Sequence, residues 1–350
     1  LVNDVLTTLQ QLATHHRKVI NIPIIALTGS NGKTTTKELI HVVLAASYKV
    51  KATKGNLNNH IGVPLTLLSF TEDLDFGIVE MGANHLKEIA FLSKIAQPDY
   101  GLITNFGKAH LEGFGGIEGV IKGKSELYTF LSDNNKTVFV NPDDAIQVEK
   151  TTDIKSIYFD DSLDFLEVNP FVKLTFKNNI IQSNLIGSYN YTNIAAAITI
   201  GNYFKVSETK INEAIESYVS KNNRSQIIET DNNKIILDAY NANPSSMKAA
   251  LENFSKINAK NKTVILGDMF ELGTESDKEH QAIVDLADKL GFENQFFVGE
   301  NFYQTTTNKN QFNHYLEFEN YIKINPITKN TILIKGSRGM RLEKILDFID

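Results

Sequence analysis

The chain has 350 residues, with 35 lysines and arginines against 41 aspartates and glutamates, a formal net charge of -6, and no cysteine. This near-even charge argues against a nucleic-acid surface or an electrostatic membrane anchor, and the absence of cysteine excludes disulfides and thiolate metal sites. The length favours two domains of ordinary size. The function class that remains is chemistry on small molecules, and a chain without cysteine fits a reducing compartment, for which we expect the cytoplasm.

The beginning of the chain carries no targeting signal that we recognise. Residues 1–17 are polar and amphipathic, and no apolar run reaches the roughly 18 residues of a membrane-spanning helix. We therefore expect no insertion into a membrane. Because the sequence starts with Leu1 and not with methionine, we expect a fragment or a processed chain.

Short apolar runs alternate with amphipathic segments in the first part of the chain. The pairs are residues 22–27 and 35–46, 76–79 and 86–95, and 101–104 and 117–131. Such alternation predicts repeated strand-helix units of an α/β fold with a mostly parallel sheet.

The segment 136–186 is different, because its apolar runs are strand-like and are separated by polar turns. These runs cover residues 137–140, 156–159, 171–176 and 180–186. They predict an antiparallel annex on the first domain, followed by helices at 191–203 and 208–219.

Strand-helix alternation restarts after the polar stretch 220–223, with apolar runs at 235–237, 263–266 and 332–334. This predicts a second, Rossmann-like α/β domain and a boundary near residue 221. The expected domains are therefore 1–220, which would bind ATP, and 221–350.

A glycine-containing loop separates the first apolar run from the first predicted helix. Gly29 and Gly32 let the backbone curl so that its N–H groups and the helix N-terminus point at phosphate. Lys33 would neutralise the β- and γ-phosphates, and the Thr34 hydroxyl would ligate Mg²⁺. The usual pattern has glycine where this chain has Leu27. A turn that binds nothing is the alternative, and the loop alone does not separate a ligase from a kinase or a GTPase.

Two polar residues follow the next two predicted strands. Glu80 stands at the carboxyl edge where doubly wound sheets bind ligands, and its carboxylate could hold Mg²⁺. A capping or solvated glutamate is the alternative. His110 lies in a loop expected at the same edge, although a lone loop histidine is usually a surface residue.

Lys124 falls on an apolar stripe of the helix predicted at 117–131. Burial would lower the pKa of its ammonium group, so that a neutral amine could add CO₂ and become a carbamate, an anionic metal ligand. The alternative is a lysine whose stem packs on the stripe while its head reaches water. The stripe consists of Ile117, Val120, Ile121, Leu127, Tyr128 and Leu131.

Longer strings of residues resemble the Mur ligase family, and the resemblance covers essentially the whole chain. They lie at 55–64, 80–85, 109–115, 238–244, 267–273 and 335–338. The strings at 238–244 and 267–273 are most similar to the branch that adds D-alanyl-D-alanine. Members of the family have a similar phosphate loop that lacks the first glycine. They also have a carbamylated lysine that is followed three residues later by an aliphatic and then an aromatic residue, as Lys124 is followed by Leu127 and Tyr128. It commonly has histidine where this chain has Tyr189.

The resemblance implies an ATP-dependent amide-bond ligase of peptidoglycan precursor synthesis. ATP would phosphorylate the terminal carboxylate of UDP-MurNAc-tripeptide to an acyl phosphate, and the amine of D-Ala-D-Ala would displace phosphate, leaving ADP. Complete enzymes of this kind have an N-terminal domain that binds the UDP end, and we expect this chain to lack it, since about 30 residues precede Gly29.

The resemblance also implies functional roles for individual residues in both domains. The implied catalytic residues are Lys33, Glu80, His110 and Lys124, with Thr34 and Glu80 holding one Mg²⁺ and His110 and carbamylated Lys124 a second. The implied nucleotide-binding residues are Gly29, Ser30, Asn31, Gly32, Lys33, Thr34, Thr35, Asn193, Arg224 and Asp238. The implied substrate-binding residues are Asn241, Asn243, Lys335 and Arg338.

Each assignment in the second domain has an alternative in which the residue has only a structural role. Arg224 could be a solvated linker residue, and Asp238 could cap a strand end. The four substrate-binding candidates could instead form hydrogen bonds that hold their loops.

Two rival functions remain open at this level. A folylpolyglutamate synthase-like ligase would share the ATPase core but lack the string at 240–244. A catalytically impaired nucleotide-binding fragment or paralogue is the other, although the presence of all four implied catalytic residues argues against degeneration.

Overall fold

The computed structural model describes residues 1–220 and 223–349. In this part of the chain, no helix is long and apolar enough to cross a membrane. Strands such as Ile24–Thr28 and Phe76–Glu80 are buried at every position. Burial on both faces is typical of parallel strands covered by helices, and it explains why these strands are continuous apolar runs in the sequence.

The first sheet is parallel, and its carboxyl edge positions the site. Its strands are β1 (Ile24–Thr28), β2 (Val50–Ala52), β3 (Phe76–Glu80), β4 (Tyr100–Ile103), β5 (Thr137–Val140) and β6 (Lys155–Tyr158). They lie in the order β2-β3-β1-β4-β5-β6. Because β1 lies between β3 and β4, the loops after these three strands meet at one edge.

Helices cover both faces of this sheet. They are α1 (Val5–Ile20), α2 (Lys33–Ala45), α3 (Gly62–Leu68), α4 (Glu88–Ala96), α5 (Leu111–Phe114), α6 (Ile117–Asp133), α7 (Ala145–Lys150), α8 (Asn190–Tyr203) and α9 (Glu208–Ser217). Helix α2 follows the glycine loop directly and buries its apolar side chains in the same cluster as those of α8. The start of α2 is thereby held at the edge of the sheet.

The predicted annex needs a correction. The runs predicted at 137–140 and 156–159 belong to the parallel sheet, as β5 and β6. The antiparallel annex is formed instead by β7 (Leu163–Val168), β8 (Phe171–Phe176) and β9 (Asn179–Ile186), of which β7 was not predicted. Most of β7 is exposed, so it lacks the apolar run on which the prediction relied.

The second sheet has the order β10-β11-β15-β12-β13-β14, and all of its pairs are parallel except β10 with β11. Its strands are β10 (Gln226–Glu229), β11 (Lys234–Asp238), β12 (Lys262–Gly267), β13 (Asn294–Val298), β14 (Asn310–Phe312) and β15 (Thr331–Lys335). The α-helices are α10 (Pro244–Lys256), α11 (Ser276–Leu290), α12 (Glu300–Tyr303) and α13 (Tyr315–Ile324), with 3-10 turns at Gly273–Glu275, Arg338–Met340 and Leu342–Phe348.

The predicted fold class, α/β with two mostly parallel sheets, is confirmed. The predicted boundary near residue 221 lies outside the described residues.

Candidate active site

The phosphate loop connects β1 to α2, and both of its glycines are required by close packing. Gly29 has φ +144°, and a Cβ atom there would lie 2.0 Å from Thr104 Oγ1. Gly32 has φ +79°, and its Cβ atom would lie 2.5 Å from Asn193 Oδ1. Larger residues would therefore strain the backbone and displace neighbours at the floor of the loop.

The loop after β4 holds the phosphate loop in place. Asn31 N–H donates to Asn105 Oδ1 over 3.0 Å, and Asn105 Nδ2 donates back to the Asn31 carbonyl over 3.0 Å. The Thr104 hydroxyl donates to the same carbonyl over 2.6 Å. The sequence analysis missed Thr104 and Asn105, because their partners lie more than 70 residues away.

Lys33 folds back over the phosphate loop. Its ammonium nitrogen donates to the carbonyl oxygens of Gly29, at 2.7 Å, and Ser30, at 3.3 Å. Burial lowers the pKa of Lys33 to about 8, while the nearby Glu80 carboxylate opposes this shift and Arg224 adds to it. The amino group is thus already directed into the curve of the loop, where an anion would meet it.

Glu80 ends β3 and is 1% exposed, which contradicts the alternative of a solvated glutamate. Its Oε1 accepts hydrogen bonds from Asn58 Nδ2 at 2.8 Å and from the Thr34 hydroxyl at 3.3 Å. Its Oε2 has no hydrogen-bond partner among the described residues and lies 3.4 Å from Lys37 Nζ. A buried carboxylate with one oxygen that accepts no hydrogen bond, in contact with a hydroxyl through the other, fits a hard cation such as Mg²⁺.

Lys124 is fully buried, so the alternative in which its head reaches water is wrong. Its ammonium nitrogen donates to the Ala83 carbonyl at 3.0 Å and lies 5.0 Å from the centre of the Phe114 ring. Burial, and secondarily the charge of Lys33, hold the pKa of Lys124 well below its usual range. The predicted stripe is buried apart from Ile117, which is exposed at the start of α6, and the half-buried Ile121.

His110 lies in the loop after β4, with a left-handed backbone conformation at φ +53°. Its Nδ1 contacts the Glu271 carboxylate, which comes from the loop after β12 in the second half of the chain. The neighbouring Lys108 pairs with Glu279 of α11, and its N–H donates to Ser245 Oγ at 2.8 Å. The loop that carries His110 is thus docked onto the second half, a contact that the sequence analysis did not predict.

The metal constellation predicted from the sequence is only partly assembled. Thr34 and Glu80 are in contact, whereas His110 is paired with Glu271 and Lys124 with the Ala83 carbonyl. A cluster of three or more histidine, aspartate or glutamate side chains that could hold a metal is not found among residues 1–220 and 223–349.

The second half of the chain contributes a connected set of polar groups. The Arg224 guanidinium lies over the Tyr240 ring, with 3.7 Å from its carbon to the ring centre, and the residue is half-buried, which contradicts the alternative of a solvated linker residue. The Asp238 carboxylate accepts from Lys335 Nζ at 2.6 Å and from Ser225 N–H at 3.2 Å. This network fixes the acidic group that ends β11.

Tyr189 joins this network from the first half of the chain. Its hydroxyl is hydrogen-bonded to Ser225 Oγ at 2.7 Å. Burial raises the pKa of Tyr189, and the charge of Asp238 adds to the shift. The residue that departs from the family pattern therefore links the two halves beside Asp238.

The amide side chains predicted to bind ligands also hold the structure together. Asn193 Oδ1 accepts from the Thr36 hydroxyl at 3.0 Å, and its Nδ2 donates to Asn190 at 2.8 Å. Asn243 caps α10 and donates to Asn31 Oδ1 of the phosphate loop at 2.8 Å. Asn241 is exposed and accepts from the next residue's N–H, so the loop-holding alternative is observed for both Asn241 and Asn243.

Most of the predicted residues line one cavity of about 560 Å³ between the two halves. Those that line it are Ser30, Asn31, Gly32, Lys33, Thr34, Thr35, Glu80, His110, Asn193, Arg224, Asp238, Asn241, Asn243 and Lys335. Gly29, Lys124 and Arg338 are not among its lining residues; Arg338 is exposed, 5.0 Å from the Tyr240 ring. Asn58, Asn59 and His60 also face the cavity and were not predicted.

A parallel α/β sheet whose first strand leads through a glycine loop to a helix defines the phosphate-loop class of proteins. The family described as the Mur ligase middle domain matches residues 27–201, and the Mur ligase glutamate ligase domain matches residues 223–338. The chain belongs to the Mur ligase family.

Relatives of known name support this membership. The UDP-N-acetylmuramoyl-tripeptide–D-alanyl-D-alanine ligase of Bacillus subtilis is 34% identical over 365 residues, covering 99% of this chain and 80% of the relative. A crystal structure of MurF from Acinetobacter baumannii matches with a TM-score of 0.88 and 30% identity, covering 99% of this chain and 81% of that one. MurF from Thermotoga maritima in complex with ADP has a TM-score of 0.87 at 24% identity, covers 99% of this chain and 84% of that one, and shares the fold.

Proposed function

We propose that the chain is an ATP-dependent ligase that joins D-Ala-D-Ala to UDP-MurNAc-tripeptide and releases ADP and phosphate. The observation that carries this proposal is one cavity lined jointly by the phosphate loop, the end of β3 and polar residues of the second half. Similarity along 99% of the chain to a ligase named for this reaction supports the choice of substrates. We infer from the same similarity, and from a chain without cysteine, that the protein acts in the cytoplasm.

The reaction requires activation because a carboxylate does not condense with an amine in water. Transfer of the γ-phosphoryl group to the terminal carboxylate of the tripeptide makes an acyl phosphate. The D-Ala-D-Ala amine then attacks the acyl carbon, the C–O bond to phosphate breaks, and the amine proton is lost. A site for such chemistry acts mainly by holding charge in place.

The phosphate loop and Arg224 are suited to hold the nucleotide phosphates. In this proposal Lys33 turns from the loop carbonyls to the β- and γ-phosphates, and Arg224 approaches from the Tyr240 ring. Asn193 is proposed to contact the adenine and Asp238 the ribose. The remaining proposed contacts come from Gly29, Ser30, Asn31, Gly32, Thr34 and Thr35.

Thr34 and Glu80 are proposed to hold one Mg²⁺, since Glu80 Oε2 accepts no hydrogen bond from the described residues. His110 and a carbamylated Lys124 are proposed to hold a second. Bound Mg²⁺ would supply Lewis-acid stabilisation of the phosphoryl oxygens. For His110 to bind a metal, its Nδ1 contact with Glu271 would have to break, or its other ring nitrogen would have to bind the metal while that contact is kept.

Carbamylation of Lys124 is supported by its burial and its lowered pKa. A neutral amine adds CO₂ to form a carbamate and releases one proton. The product would place a buried negative charge on the Lys124 side chain, which contacts the Ala83 carbonyl after β3. The charge of a nearby cation would then stabilise it.

The substrate end of the cavity is proposed to involve Asn241, Asn243, Lys335 and Arg338. Lys335 is buried against Asp238, and Asn243 holds the start of α10. A division into domains 1–220 and 221–350 belongs to the same proposal. Each half would supply one side of the site.

A nucleotide-binding protein without ligase activity is the alternative in a different class. Phosphate release measured with ATP, UDP-MurNAc-tripeptide and D-Ala-D-Ala, and with each one omitted, separates the two. The ligase requires all three for turnover. ATP binding with no release under any combination would contradict ligase function. Turnover with a folate and glutamate in place of UDP-MurNAc-tripeptide and D-Ala-D-Ala would favour a folylpolyglutamate synthase-like enzyme.

A further inference from the structure

Lys37 forms a buried ion pair with Glu80. It lies one helical turn after Thr34 on α2, so both side chains project from the same face of the helix toward the end of β3. The side chains of Lys37 and Glu80 are 3% and 2% exposed, with 3.4 Å between Lys37 Nζ and Glu80 Oε2. The carboxylate oxygen that would bind a cation is therefore already paired with a positive charge.

The rest of the Glu80 residue is held by neutral groups. Oε1 accepts from Asn58 Nδ2 and from the Thr34 hydroxyl, and the Glu80 N–H donates to Thr53 Oγ1 at 3.0 Å. These contacts orient the carboxylate without changing its charge. Lys37 is the group that neutralises it.

The local charge is unfavourable for a free divalent cation. The charge of the Glu80 carboxylate raises the pKa of Lys33, and the charge of Arg224 lowers it. The buried Lys37 ammonium thus offsets the charge of the Glu80 carboxylate, and the Lys33 ammonium on the loop carbonyls adds positive charge nearby, so the local net charge does not favour a divalent cation. Nucleotide phosphates would reverse this balance.

We propose that Lys37 is a built-in counter-ion that keeps the Glu80 site from binding a divalent cation until nucleotide brings negative charge. This inference rests on the proposed function, because it takes Glu80 as a metal ligand. It predicts that metal and nucleotide enter together. A lysine with only a structural role would affect folding but not the order of binding.

Binding of Mn²⁺ alone, followed by electron paramagnetic resonance, tests the role of Lys37. Without nucleotide, Lys37→Met should bind Mn²⁺ at least roughly tenfold more tightly than the wild type, because one of the repelling charges is gone. Lys37→Arg keeps the charge and should resemble the wild type. Lys51→Met removes an exposed lysine of the same sheet and is the matched control.

Equal Mn²⁺ affinity of folded Lys37→Met and wild type, without nucleotide, would overturn the role of Lys37. Removing one partner of a buried pair can prevent folding. If Lys37→Met does not fold, Lys37→Gln, which keeps a polar side chain but removes the charge, takes its place. Equal Mn²⁺ affinity of that variant and the wild type, without nucleotide, would contradict the inference, and tighter binding by the variant would support it. A Glu80→Gln variant that keeps wild-type Mn²⁺ binding with ADP would instead overturn the metal assignment of the proposed function.

Discussion

Asn243 Nδ2 donates a hydrogen bond of 2.8 Å to Asn31 Oδ1, joining two residues that are 212 positions apart. Asn31 belongs to the phosphate loop, and Asn243 is the N-cap of α10. The second half of the chain therefore touches the phosphate loop directly. An enzyme built this way should bind nucleotide well only when its two halves are closed.

The contact between Asn243 and Asn31 can be separated from the capping role of Asn243. Asn243→Ser keeps a capping hydroxyl but is too short to reach Asn31, so KM for ATP should rise several-fold with little change in stability. Asn243→Ala should also lower the free energy of unfolding by about 1 kcal/mol. Steady-state kinetics and denaturant unfolding measure both effects. A rise confined to KM for D-Ala-D-Ala would mean that Asn243 serves the substrate end of the cavity without positioning the phosphate loop for ATP.

Lys33 should make ATP binding depend on pH. Its pKa is lowered to about 8 without nucleotide, and phosphate should raise it, because an anion favours the ammonium form. Below pH 8 the ammonium is already present, whereas above pH 8 binding must take up a proton, so ATP affinity should fall as the pH rises. Calorimetry in buffers of different ionisation enthalpy measures this uptake. Lys33→Arg stays charged and should lose the dependence; proton uptake unchanged in Lys33→Arg would exclude Lys33 as its source.

Lys124→Ala should be nearly inactive, and acetate should partly restore activity by occupying the position of the lost carbamate. Lys122→Ala changes an exposed lysine of the same helix and should keep activity. The ¹³C NMR spectrum of the wild type with labelled bicarbonate, Mg²⁺ and nucleotide should contain a carbamate signal that is absent in Lys124→Ala. A free ammonium group at Lys124 in the active complex would contradict the carbamate proposal.

Tyr240 should matter to ATP because its ring supports Arg224. The guanidinium carbon lies 3.7 Å from the ring centre, and Arg224 Nε is buried without a hydrogen-bond partner among the described residues. Tyr240→Leu should raise KM for ATP between about twofold and about thirtyfold, the range of a cation-π contact. Tyr240→Phe keeps the ring and should remain near the wild-type value. Equal KM values in all three proteins would mean that the stacking does not position Arg224 for nucleotide.

The local parts of the site could be predicted from the sequence. The glycine loop, Thr34 and Glu80 are marked by short patterns at the ends of buried strands, and their positions at one edge follow from a parallel sheet. The burial of Lys124 follows from helical periodicity. Each of these features can be predicted from a stretch of fewer than about twenty neighbouring residues.

The remaining parts depend on pairings between distant segments, which a single sequence does not encode as a pattern. Asn105, Glu271 and Ser225 are polar residues of loops, and they matter because of partners far away in the chain. The assignment of β5 and β6 to the annex failed for the same reason, since a short apolar strand does not specify its neighbour. Lys37 went unnoticed because its partner, Glu80, is on another element.

The most direct test of the ligase mechanism follows the carboxylate oxygen. UDP-MurNAc-tripeptide labelled with ¹⁸O in both oxygens of its terminal carboxylate would be incubated with the protein, ATP, Mg²⁺ and D-Ala-D-Ala. An acyl phosphate intermediate predicts one ¹⁸O in each phosphate released and one in each amide formed, measured by ³¹P NMR and mass spectrometry. Amide formation with unlabelled phosphate would contradict the proposed reaction.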